Sequence, residues 1–139
     1  MRALKGEGFD VVVSLLMQDE AEHFGLAREG DLSRMQGLKF LSFPIPDLAV
    51  PDSSGAAREF IGTVHRALTA GKKIAIHCRQ GIGRSGLVAS SLLVMSGVDP
   101  EAAFRRVSVA RGLSVPETHE QRDWVVRLSR EFAEPAVRR

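Results

Sequence analysis

A chain of 139 residues with 44% hydrophobic and 26% charged side chains has room for one domain around one core, and no apolar run approaches the ~20 residues of a membrane-spanning helix. Its 19 lysines and arginines stand against 17 acids for a formal charge of +2, scattered without a basic run or interleaved aromatics, so nucleic acid is not an expected partner. The single cysteine cannot form an intramolecular disulfide, and MRALKGEGFD lacks an apolar signal segment, so a reduced cytoplasmic setting is expected.

In chain order, MRALKGEGF reads as the end of a helix whose beginning lies outside the chain. FDVVVSLL (9–16) is a valine-rich continuous apolar run, the pattern of a strand buried on both faces. QDEAEHFGLAREGDLSRMQG follows, with helix formers around Phe24, Leu26 and Ala27, and predicts one short helix and a loop. LKFLSF (38–43) is the second strand and KKIAIHC (72–78) the third. Between them Ala57, Phe60, Ile61, Val64, Ala67 and Leu68 recur at helical spacing from Asp52 or Ser53 to Ala70, with Gly71 as the stop. RSGLVASSLLVMSG has helical composition closing at Gly97; DPEAAFRRVSVA begins with Asp99 as a cap and Pro100 at the first helical position. PETHEQRDWVVRLSREF places Trp124, Val125, Leu128 and Phe132 on one face. The alternation predicts an α/β fold, a mainly parallel central sheet flanked by helices, in a single domain over 1–139 with 134–139 as a frayed tail.

HCRQGIGRSG (77–86) concentrates the only cysteine, two arginines and three glycines directly after the third strand. Gly81, Gly83 and Gly86 spell G-x-G-x-x-G, the fingerprint of a dinucleotide turn, but that turn needs its first glycine at the strand end and an acid closing a second strand about 20 residues on. Here His77 to Gln80 intervene, and Asp99 stands before a proline as a helix cap. The other reading uses every unusual residue. Cys78 and Arg84 form C-x5-R across a glycine-rich turn that opens a helix; backbone N–H groups there point inward, glycines permit the angles, and a guanidinium grips two phosphate oxygens. Helix N-termini and nearby cations favour the thiolate, the nucleophilic form of cysteine. A thiolate beside an anion cradle implies attack on phosphorus and an S-phosphocysteine intermediate. Protonating a leaving oxygen further requires an acid. Asp47 follows PIP, whose prolines stiffen the loop; Asp52 is the alternative, with helix capping as its other role.

His77, Cys78, Arg84 and Ser85 match HC-x5-R-[ST], and the chain resembles the protein tyrosine phosphatase superfamily, in particular the small dual-specificity phosphatases. FPIPDLAVPD (43–52) resembles their mobile acid loop, and the likeness extends to ETHEQ (117–121). The resemblance implies Cys78 as nucleophile, Arg84 as phosphate ligand, Asp47 as general acid, and a Ser85 hydroxyl that helps the thiolate leave. It implies that the amides of Arg79, Gln80, Gly81, Ile82, Gly83 and Arg84 line the cradle, that His77 orients the loop, and that Gln121 helps place the hydrolytic water. No metal or cofactor is expected. Substrates would be phosphorylated proteins or small phosphomonoesters, with a pocket shallow enough for phosphoserine and phosphothreonine as well as phosphotyrosine, and the enzyme is expected to be a monomer. Arg79 raises phosphoinositides as an alternative substrate class, and Arg106 and Arg111 are candidate flanking anchors. A phosphate-binding module without catalysis and a rhodanese-like sulfur transferase are the competing functions; a proline-bracketed acid upstream serves no purpose in the latter.

Overall fold

The computed structural model describes residues 6–51, 54–78, 83–112 and 114–133. Three strands, β1 (Val11–Ser14), β2 (Lys39–Ser42) and β3 (Ile74–His77), form a parallel sheet in the order β2-β1-β3. Among the described residues six helices accompany them: α1 (Gln18–His23), α2 (Glu29–Met35), α3 (Ser54–Thr69), α4 (Gly83–Met95), α5 (Pro100–Arg111) and α6 (His119–Ala133). All four residues of β1 are buried, as its central position and continuous apolar run require, whereas β2 at the edge is exposed at both ends, with a lysine at its start, and half-buried between.

Register aligns Ser42, Ser14 and His77 in one row at the carboxyl ends of the strands. Because successive side chains alternate faces, Val11 and Val13 project into the main core, where they join Ala57, Ile61 and Val64 of α3, Leu87, Val88 and Leu92 of α4, and Trp124, Val125 and Leu128 of α6. The valine, leucine and isoleucine side chains among them contribute about 1.5–3 kcal/mol each on burial. On the opposite face α2 lies close to β2: a Cβ added at Gly30 would come within 3.0 Å of the Phe40 ring. Ten of the thirteen residues of α4 are buried, so α4 is the central helix. Its lack of a polar face follows, since α3, α5 and α6 all pack on it.

The segment between β1 and β2 differs from expectation. It holds two short helices rather than one: α1 stops at Phe24, and Gly25 with φ 71° turns the chain into α2. Glycine tolerates that backbone and ended the helix early. The last turn of α3 also departs from the core, leaving Leu68 41% exposed. Asp99 caps α5 as expected, accepting from the N–H groups of Glu101 and Ala102. The Asp52–Ser53 cap, the residues Arg79 to Ile82 and the tail 134–139 lie outside the described residues.

Candidate active site

The site stands at the carboxyl end of the parallel strands, where α/β proteins gather loops and helix N-termini. Cys78 follows β3 directly, half-buried against the core. Gly83 begins α4, which places Arg84 and Ser85 in its first turn. The Ser85 hydroxyl donates to Cys78 Sγ at 3.0 Å, a bond that stabilises sulfur most when it carries negative charge.

Arg84 is only 1% exposed, so its charge requires partners. Nη1 and Nη2 donate to the two carboxylate oxygens of Glu20 at 2.6 and 2.9 Å, and Nη1 also donates to the Ile45 carbonyl at 2.9 Å. Asp47 lies 3.4 Å from Nη2. Burial by itself would lower the guanidinium pKa; the hydrogen bonds and charge of Glu20, with the negative charges of Cys78 and Asp47, outweigh it and hold Arg84 above the ordinary arginine value. The guanidinium is therefore a fixed cation. Its end-on fork is committed to Glu20, which leaves the Nε/Nη2 edge, where Asp47 sits, as the side that can turn to an anion.

Asp47 owes its place to the loop after β2. Ile45 is fully buried and its N–H donates to Leu15 O at 3.0 Å, pinning the loop to β1. Ala49 N–H then donates to Pro46 O at 3.0 Å, closing a four-residue turn with Asp47 and Leu48 at its tip. Leu48 has φ 64°, a left-handed conformation at the turn position that favours glycine, at a cost of about 1–2 kcal/mol for leucine. Asp47 is carried on this tip, 44% exposed.

Gln121 differs from a surface glutamine: it is fully buried in the first turn of α6. Its Oε1 accepts from the N–H groups of Glu117 and Thr118, and Nε2 donates to the Ala49 carbonyl at 3.1 Å. The amide thereby clamps α6 to the loop that carries Asp47, and it lies against Gly83, where a Cβ would meet it at 3.0 Å. His77 projects away from that clamp, its Nε2 2.7 Å from Glu29 Oε2. Arg106 and Arg111 are not at this site. They line an apolar groove with Leu68, Leu92, Leu93 and Ser96, toward the far end of α4.

Cys78, Ser85, Arg84, Asp47, Gln121 and Gly83 are thus gathered from four segments. Arg79, Gln80, Gly81 and Ile82 lie outside the described residues. Sequence reasoning missed Glu20 and Glu29, each held to a motif residue far along the chain. No helix of the described residues is long and apolar enough to cross a membrane. Among those residues there is also no group of three or more His, Cys, Asp or Glu side chains that could hold a metal.

A family model described as a DSP-PTPase phosphatase of polymorphic toxin systems matches residues 1–98. The chain is 39% identical over 87 residues to protein 197R of Invertebrate iridescent virus 6, named for a tyrosine phosphatase, a match covering 60% of this chain and 31% of that protein. It is 29% identical over 124 residues to cyclin-dependent kinase inhibitor 3 of Rattus norvegicus, covering 88% of this chain and 58% of that one. Among solved structures it is similar to a kinase-associated phosphatase with serine substituted for its catalytic-site cysteine, at TM-score 0.85 and 25% identity over 95% of this chain and 75% of the other. The chain spans between 31% and 58% of the length of these curated relatives.

Proposed function

The chain belongs to the DSP-PTPase phosphatase family, and on that premise we propose that it hydrolyses phosphomonoesters through a covalent phosphocysteine on Cys78. The observation that carries the reading is the Ser85–Cys78 contact of 3.0 Å, one residue from a buried guanidinium that Asp47 approaches to 3.4 Å. These are a nucleophile, an anion ligand and an acid within reach of one phosphoryl group.

In this reading the substrate phosphate displaces Asp47 from the free edge of Arg84 and takes two hydrogen bonds there, while Glu20 keeps the opposite side of the guanidinium fixed. The Cys78 thiolate attacks phosphorus as the P–O bond to the leaving group breaks, and the Asp47 carboxyl passes its proton to that oxygen. Water then attacks the phosphocysteine, Asp47 receives the proton, and the Ser85 hydroxyl stabilises the departing thiolate. Gln121 keeps the acid loop in register with α4 through the Ala49 carbonyl, and its remaining amide hydrogen is available to the attacking water. Substrates are phosphotyrosyl groups, as the name of the viral relative suggests, together with phosphoseryl and phosphothreonyl groups. The enzyme acts as a single metal-independent domain.

Hydrolysis of p-nitrophenyl phosphate tests the activity. Cys78→Ser is expected to abolish turnover while leaving vanadate binding measurable by calorimetry; an active Cys78→Ser protein would overturn the mechanism. A panel of phosphotyrosyl peptides, phosphothreonyl peptides and phosphoinositides then tests the substrate class. Faster turnover of the lipid headgroups would replace protein by phosphoinositide as the substrate.

A further inference from the structure

Glu29 has no part in the chemistry above, yet it is one of the most buried acids described, its side chain 6% exposed. It opens α2, where an acid ordinarily faces solvent beside the helix N-terminus. Instead its carboxylate reaches the imidazole at the end of β3, with Glu29 Oε2 and His77 Nε2 2.7 Å apart. A carboxylate removed from water requires a donor, so Nε2 carries a proton directed at Glu29. That fixes both the plane of the ring and its tautomer, as a carboxylate does for a metal-binding histidine. The next residue in the chain is Cys78.

The placement follows from the fold. The contact of Gly30 with Phe40 seats α2 on β2, and parallel register sets His77 level with Ser14 and Ser42. Glu29, Ser14 and Ser42 share the wall of a cavity of about 430 Å³. The other charges described around this end of the sheet have their own places. Glu22 and the Asp31–Arg34 pair, joined at 3.1 Å, line the same cavity; Glu20 of α1 is held to Arg84 of α4, and Asp47 of the acid loop approaches the same guanidinium. Glu29 is the acid that meets His77.

We propose that Glu29 is a positioning residue for Cys78, acting through His77: the buried carboxylate fixes the imidazole, with Nε2–H directed at Glu29, at the base of the nucleophile's loop. The inference rests on the reading of Cys78 as a nucleophile, but it concerns thiol reactivity and can be tested without turnover. Glu29→Gln turns a charge-assisted hydrogen bond into a neutral one, so the ring is held less firmly at the base of the loop and the thiolate is favoured less.

Cys78 is the only thiol in the chain, so the rate of iodoacetamide alkylation against pH reports on it alone. Glu29→Gln, which keeps an oxygen for Nε2–H, is expected to move the midpoint of that profile upward by about half a unit to one unit and to slow alkylation at pH 6 about threefold to tenfold. In p-nitrophenyl phosphate hydrolysis the acid limb of kcat/KM should move by the same amount, with KM little changed. The shift must vanish in a His77→Ala background, because the effect passes through the ring. Superimposed alkylation profiles for the wild type and Glu29→Gln, or an undiminished shift in His77→Ala, would overturn the proposal. An alkylation shift in a protein without phosphatase activity would uphold it and reject the catalytic reading instead. If Glu29→Gln does not fold, nitrogen NMR of the unaltered protein decides: a protonated Nε2 on His77 supports the proposal, and an Nδ1-protonated neutral ring refutes it.

Discussion

Replacing Glu20 by glutamine asks what holds the buried Arg84 in place. The amide oxygen can still accept from Arg84 Nη1 and from the Met17 N–H, which donates to Glu20 Oε1 at 3.0 Å. The NH₂ group, however, would face Nη2, now 2.9 Å from Oε2, donor against donor. Besides that amide oxygen, a guanidinium 1% exposed keeps the Ile45 carbonyl and Asp47, whose side chain is 44% exposed and screened by water. Removing one member of a fully buried pair costs about 3–5 kcal/mol; with Asp47 and the carbonyl left in place, about 2–3 kcal/mol is expected, or about 10 °C in Tm for a domain of this size. Thermal and urea denaturation followed by circular dichroism measure it. Arg84→Met added to Glu20→Gln should recover much of the loss, since two neutral side chains leave no buried charge. The difference should be independent of pH between about 5 and 9 as far as Arg84 is concerned. Its folded pKa is raised, so its stabilisation is complete below the ordinary arginine value and lost only as pH rises through the higher folded one. A Glu20→Gln protein melting within 2 °C of wild type would refute the view that Glu20 balances the buried cation.

Three further outcomes follow from the same geometry. Asp47→Ala should lower kcat for aryl and alkyl phosphates by about 10²–10⁴ and flatten the basic limb of the pH–rate profile; a retained basic limb would move the acid role elsewhere, to Asp52 first. Ser85→Ala removes the 3.0 Å donor to Cys78 Sγ and should slow breakdown of the phosphoenzyme more than its formation, read as a larger burst of p-nitrophenol before the steady state. Gly86→Ala would place a Cβ 2.9 Å from Val115 Cβ. That neighbour is fully buried and cannot swing aside, so a packing cost of about 1–3 kcal/mol should exceed the 0.5–1 kcal/mol gain in helix propensity, and the melting temperature should fall.

The fold was legible wherever pattern alone decides it. The valines of β1, the glycine stop after α3 and the aspartate–proline start of α5 are local signals, and all three elements formed where expected. Strand ends were not legible to the residue: apolar neighbours such as Leu15 and Leu16 remain buried after pairing has stopped. Gly25 was the overlooked signal in the split between α1 and α2, being a helix stop inside a run otherwise rich in helix formers.

The candidate site divides along the same line. Cys78, Arg84 and Ser85 could be found because six or seven residues of chain fix their separation. Glu20 and Glu29 could not, because Asp19, Glu20, Glu22, Glu29 and Asp31 look alike in a solvated helical segment, and the partners of two of them lie 64 and 48 residues away. Topology supplies what local pattern lacks. A buried arginine that opens the helix after β3 must find its counter-charge at the carboxyl end of the sheet, and β1 is the strand paired with β3. The first turn after β1 is therefore the place to look for an acid, and its third residue, Glu20, reaches back to the Met17 N–H on the side facing Arg84. Glu29 lies one helix farther on and answers to the strand end itself, so the two acids missed in the sequence hold the two flanks of the cysteine loop, the histidine before it and the arginine after it.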